Sequence, residues 1–276
     1  MEEISFYEKI KDNSFRLAVV FLDKGNSIKL KKHLHENPRL LDQHIAFDET
    51  GYFANPCLLN FVAENPVRNG TLPPNIVNVT RIILEAGAKK NLGQINETLG
   101  LVCSGRIVRE CKSQIPLIAL LHYYGADLNA AMLPALSHGS FDAIRYLINL
   151  GAQVRLHVAA AIGDIDGVTR LMPVSGATER HLALAFAAQY GHPEILKTLL
   201  ESGEDPDRYN PPQAHGSSTP LHQAILAGHE SVVKLLVEAG ASLDIKDKVY
   251  HGTALDWAVY SGNNTIENYL RLKADK

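Results

Sequence analysis

Apolar residues recur along this chain in short groups with helical spacing, each closed by a glycine or another breaker. Leu221, Ala224 and Ile225 stand at i, i+3 and i+4 and make one narrow apolar face. The small alanine lets a second helix pack closely against it. Gly228 can end that segment in the left-handed conformation, a second apolar group follows at Val232, Val233, Leu235 and Leu236, and Gly240 closes it likewise. The pattern predicts two antiparallel helices with an apolar face that one pair cannot bury alone.

Neighbouring pairs are present. Aligning the chain on the break inside each pair gives Gly25, Asn65, Gly105, Gly139, Gly163, Gly191, Gly228 and Gly262, hence eight candidate units. Seven places before most breaks stands an apolar residue: Leu58, Met132, Leu156, Leu184, Leu221 and Leu255, with Thr98 departing in the third unit. Small or apolar pairs follow, such as Phe61-Val62, Ala159-Ala160, Ala187-Ala188 and Ala258-Val259. At the chain ends the register predicts helices over 15–22 and 28–36, and over 254–260 and 265–270.

The distance from break to second-helix end is a separate measure. It is twelve residues for Gly139 to Gly151, Gly191 to Gly203 and Gly228 to Gly240, but 22 from Asn65 to Gly87 and 20 from Gly105 to Gly125. Units two and three are therefore expected to carry enlarged inter-helix turns, the first holding the turn signals Asn69-Gly70 and Pro73-Pro74. Between units, Gly203 to Thr219 spans 16 residues and Gly240 to Thr253 spans 13, whereas Gly125 to Ala130, Gly151 to Val154 and Gly176 to Leu182 span 5, 3 and 6. The short gaps cannot hold a hairpin, so the long loops 204–218 and 241–252 should form a separate C-terminal rim.

One run carries a family resemblance. Thr219-Pro220-Leu221-His222-Gln223-Ala224, then Gly228-His229 and Gly240-Ala241, resembles an ankyrin repeat, with its T-P-L-H-x-A helix start, G-H break and G-A ending. The resemblance implies an all-α ankyrin-repeat solenoid of about eight helix-turn-helix units, one domain over 1–276, with divergent repeats over 1–129 and more regular ones over 130–276. Thr219 fits an N-cap and Pro220 the first helical position, where a missing N–H costs nothing. By the same resemblance His222 ties loop to helix, and His192 and His229 belong to the G-H turn. Gly203-Glu204-Asp205-Pro206 and Gly252-Thr253-Ala254-Leu255 are similar to ankyrin-repeat proteins of bacterial type.

What such proteins do is bind other proteins, usually through hairpin tips and the two positions before the G-H turn. Carried onto this chain, the expected contact residues are Gln189, Tyr190, Leu226 and Tyr260, joined by Tyr209, Tyr250 and His251 from the long loops. Tyrosine suits such a surface because it buries much area at low entropic cost. Trp257, the sole tryptophan, is expected to pack in the core. The role expected is an adaptor, inhibitor or scaffold without catalysis. The alternatives are an effector acting on a host protein and, from another class, an enzyme using the N-terminal inserts.

Composition narrows the partners. A net charge of −3 from 27 basic and 30 acidic residues gives no reason to expect nucleic acid or an acidic membrane, and Lys29, Lys31 and Lys32 read as a solvated helix face. The longest apolar run, 182–188, has seven residues against the ~20 that span a bilayer, and Met1-Glu2-Glu3 lacks the basic start of a signal peptide. A cytoplasmic monomer is expected, or one exported to a host cell without a cleaved signal. Cys57, Cys103 and Cys111 form no C-x-x-C pair and read as reduced structural thiols. No H-E-x-x-H, G-x-S-x-G or phosphate-loop pattern occurs, so no catalytic residue, metal ligand or cofactor is expected.

Overall fold

A computed structural model of the chain describes residues 6–47, 53–65 and 67–274, and these form two compact units, Met1–Ala152 and Gln153–Lys276. Among the described residues there are helices and no strand; His44 and Cys57 make one isolated antiparallel bridge.

The first unit contains α1 (Asn13–Asp23), α2 (Ser27–Glu36), a 3-10 helix (Leu58–Ala63), α3 (Ile76–Ala86), α4 (Leu92–Ser104), α5 (Arg106–Glu110), α6 (Gln114–Tyr123), α7 (Met132–Ser137) and α8 (Phe141–Asn149). Side chains start several of these helices by occupying their free N–H groups: Asp12 accepts from Phe15 N at 2.9 Å, Asn26 from Lys29 N at 3.1 Å and Asn91 from Gln94 N at 3.2 Å. Helix α1, the 3-10 helix, α4 and α7 pack in succession, and α2, α3, α6 and α8 do the same. The second unit repeats this plan. Its first helices are α9 (Leu156–Ile162), α11 (Ala177–Tyr190), α13 (Pro220–Leu226) and α15 (Ala254–Ser261); its second helices are α10 (Ile165–Leu171), α12 (Pro193–Glu201), α14 (Glu230–Glu238) and α16 (Asn264–Ala274). The eight pairs of the sequence register are thus present, four in each unit.

Alanine makes the close packing possible. Ala187, Ala188, Ala224 and Ala258 are fully buried between successive first helices, with Leu184, Leu221 and Ile225 filling the space beside them. The G-H turn locks the same neighbours. His192 Nε2 donates to Ala161 O at 3.0 Å and His229 Nε2 to Gln189 O at 3.1 Å, each reaching the preceding pair. The ring of each histidine lies on that pair's glycine: a Cβ on Gly163 would come 2.9 Å from His192, and one on Gly191 would come 2.6 Å from His229. Both glycines also have positive φ.

The expected register needs correction in four places. The second unit's break is Glu64, left-handed at φ 49°, rather than Asn65, and its first helix is 3-10. Gly105 ends α4 in extended backbone, and the extra residues of the third unit make α5 instead of an open turn. Helix α11 begins at Ala177 and absorbs the short connection after Gly176, five residues before the expected start. Thr98 departs from the apolar pattern because it is buried as a polar bridge: it accepts from Asn60 Nδ2 at 3.1 Å and donates to Gln94 O at 2.7 Å, while Asn60 Oδ1 takes Cys57 N at 2.8 Å.

The insert after the 3-10 helix has its own anchor, which sequence reasoning missed. Glu64 Oε1 accepts the backbone N–H groups of Arg68, Asn69 and Gly70. Arg68 in turn pairs with Glu64 at 2.8 Å and Asp23 at 2.9 Å, lies over the Phe61 ring at 4.9 Å and donates to Phe61 O at 2.8 Å. All three charged side chains are almost wholly buried. The i, i+4 spacing of Glu64 and Arg68 was the available signal.

Candidate functional site

The long loops of the second unit are fastened internally and to each other. Asn210 N donates to Ser218 O at 2.9 Å, Lys248 N to Ser217 O at 2.8 Å, Ser242 N to Asp207 Oδ1 at 2.7 Å, and Tyr209 OH to Lys246 O at 2.6 Å.

At the centre of the second loop is Asp247, buried with 1% exposure. Its Oδ1 accepts from Val249 N at 2.8 Å and Tyr250 N at 2.7 Å; its Oδ2 accepts from Gly252 N at 2.8 Å and Trp257 Nε1 at 3.0 Å. Burial pushes this carboxyl upward, but the four donors outweigh it and hold the group well below the usual carboxylate range. One anion therefore shapes the loop and fixes the indole.

The T-P-L-H start supports it from below. Thr219 N donates to His222 Nδ1 at 3.3 Å, so that nitrogen accepts, and Nε2 carries the proton donated to Gly252 O at 3.2 Å. The neutral imidazole meets Trp257 edge to face, with centroids 5.0 Å apart. Its pKa is lowered by burial, against the opposing pull of Gly252 O and Asp247. At the start of α15, Thr253 N and Oγ1 both donate to Asp256 Oδ2, at 2.8 and 2.7 Å. That side-chain bond first, then the backbone bond and the field of Lys246, hold the Asp256 carboxyl low.

Over this frame opens a pocket of about 640 Å³, lined by Leu226, Tyr250, His251, Gly252, Asp256, Trp257 and Tyr260. Tyr250 is 82% exposed, Tyr260 86% and Leu226 48%. His251 takes a left-handed backbone at φ 56°, uncommon for a residue with a Cβ.

Four of the seven expected contact residues, Leu226, Tyr250, His251 and Tyr260, thus meet in one place. The other three do not line it and are half-buried, with contacts inside the protein. Gln189 O takes the His229 bond; Tyr190 stacks on Phe186 at 6.1 Å; Tyr209 has its hydroxyl on Lys246 and its ring under Lys248 Nζ at 4.0 Å. Trp257 is only partly in the core, since one part of it packs there and another lines the pocket. It and Asp256 line the pocket without having been expected there, although both stand at helical spacing from Tyr260.

Among the described residues no three His, Cys, Asp or Glu side chains are grouped to hold a metal ion. Burial pushes the Cys57 and Cys103 thiols up to about 11 and about 12, away from reactivity. Among the described residues no helix is long and apolar enough to cross a membrane.

Known proteins are similar to this chain in sequence. The mouse (Mus musculus) ankyrin repeat and SAM domain-containing protein 6 is 35% identical over 106 residues, which are 38% of this chain and 12% of that protein. A putative E3 ubiquitin-protein ligase of Arabidopsis thaliana is 36% identical over 116 residues, 39% of this chain and 25% of its own length. The NF-kappa-B inhibitor cactus of Drosophila yakuba is 28% identical over 223 residues, 78% of this chain and 40% of its own. This chain therefore spans well under two thirds of each. The family described as ankyrin repeats (3 copies) matches residues 108–210, 156–247 and 184–276, more than half the chain. With the helix pairs, the G-H turns and the T-P-L-H capping box in place, the chain belongs to the ankyrin-repeat family and is a protein-interaction module.

Proposed function

We propose that this chain is a non-catalytic adaptor, inhibitor or scaffold that holds a partner protein against Leu226, Tyr250, His251 and Tyr260. The observation that carries the reading is the pocket over Asp247 and Trp257, where two strongly exposed tyrosines stand on an immobilised frame. Aromatic side chains on a rigid support bind at low entropic cost and dominate interface energies. The commitment of His192, His222 and His229 to backbone carbonyls supports a role without catalysis, as do the raised thiols. Inhibition as the form of binding is supported by the broad alignment with the insect protein named as an inhibitor.

The test is to capture partners with the wild-type protein, then measure the affinity of the strongest for Tyr250→Ala and Tyr260→Ala. At least one variant should lose about 1 kcal/mol or more, roughly fivefold in Kd, with an unchanged melting curve. Wild-type affinity in both would place the contact elsewhere. Turnover in a panel of hydrolase and transferase substrates would overturn the non-catalytic part.

A further inference from the structure

Trp257 is held as a wall: its Nε1 is bonded to Asp247, its ring meets the His222 ring at 71° with centroids 5.0 Å apart, and Gly252 lies close against it, since a Cβ there would come 3.1 Å from Trp257 Cδ1. Tyr250 and Tyr260 stand beside it largely exposed, and among the described residues no ring stacks on either. The pocket therefore offers three aromatic groups to one guest. Aromatic faces carry partial negative charge and attract cations.

The carboxylate that lines it has the same sign. Asp256 is the carboxylate at the pocket, and its Oδ2 is taken by Thr253 while no hydrogen bond or ion pair among the described residues reaches Oδ1. Lys246 acts on Asp256 through its field and makes no ion pair with it. Leu226 adds an apolar wall, suited to the methylene stem that precedes a charged head. His251 lines the pocket beside them with a left-handed backbone, a strained conformation of the kind that collects at binding sites.

We propose that this pocket takes a lysine or arginine side chain of the partner protein, with the stem along Leu226, the cationic head among Tyr250, Trp257 and Tyr260, and Asp256 as counter-charge. The proposal rests on the reading that this surface is the partner site, and deepens it to a residue class. Trp257, as the sole tryptophan, reports occupancy directly.

The full chain is titrated with n-butylguanidinium, n-butylammonium and neutral 1-butanol at constant ionic strength, following Trp257 emission. Both cations should saturate, with butanol about fivefold weaker or more. Asp256→Asn keeps an oxygen for the Thr253 cap and removes the charge; it should weaken the cations about fivefold, as should Tyr260→Ala, while Tyr260→Phe retains binding. No saturation by either cation, equal binding of butanol, or unchanged affinity in Asp256→Asn overturns the proposal. A partner that is lost with Tyr260→Ala but is indifferent to Asp256→Asn and to competing n-butylguanidinium leaves the protein-binding reading standing and overturns this one alone.

Discussion

At the scale of single residues, buried histidines give the second unit its pH response. His157, His181 and His222 all have lowered pKa values, in each case first through burial. In the unfolded chain they take up protons near pH ~6.5. Below that point the unfolded state binds more protons than the folded one, so stability falls as pH falls. Asp247 is held low, and its contribution is lost only at more acidic pH, below the ordinary carboxylate range. Urea midpoints should be flat with respect to these histidines from pH 8 to about 7.5 and decline toward pH 5; a midpoint that rises on acidification would contradict this assignment. Of the residues that matter here, His222 was legible because a sequence motif surrounds it. Asp247 was not, since an aspartate in a loop says nothing about which N–H groups converge on it. Trp257 was read as core because tryptophan usually is, and only the folded loop shows part of it lining a pocket.

Elements are set by the breaks between them, and the glycines can be ranked by what surrounds them. Gly191→Ala would combine φ 75° with a Cβ 2.6 Å from the His229 ring, and should cost about 1–3 kcal/mol in denaturant unfolding. Gly176 has φ −73°, and a Cβ added there would meet nothing within 4 Å, so Gly176→Ala at the N-cap of α11 should cost less than about 1 kcal/mol. Similar losses in both would mean that neither the left-handed backbone nor the histidine contact carries weight. Helix existence was readable throughout from the apolar spacing and the breakers. Helix limits were readable where glycine supplies a left-handed end, as at Gly163, Gly191 and Gly262. They failed where another force decided: Glu64 turns left-handed because three backbone N–H groups converge on its carboxylate, and 177–181 are helical because a gap too short for a hairpin was still long enough for another turn.

At the scale of the whole chain, the two units are anchored by different means. The first depends on the Glu64, Arg68 and Asp23 cluster, and removing one partner from a buried ion group leaves uncompensated charge. Arg68→Ala should therefore cost about 3–5 kcal/mol, measured as a loss of cooperative unfolding in the Met1–Ala152 unit; a cost below about 1 kcal/mol would show that the Glu64 carboxylate on the backbone N–H groups holds the insert without the ion pairs. The second unit relies on repetition, and this bears on how such an array can lengthen or shorten. Each ring-on-glycine contact joins the histidine of one turn to the glycine of the turn before. Tandem duplication of the 37 residues from His192 to Gly228 would set the new His192 over Gly191 and His229 over the old Gly228. Loss of the same residues would set His229 over Gly163 instead. In either event every ring still finds a glycine, so the joint is indifferent to how many pairs it connects, and copy number in this array can drift without any new contact having to be invented.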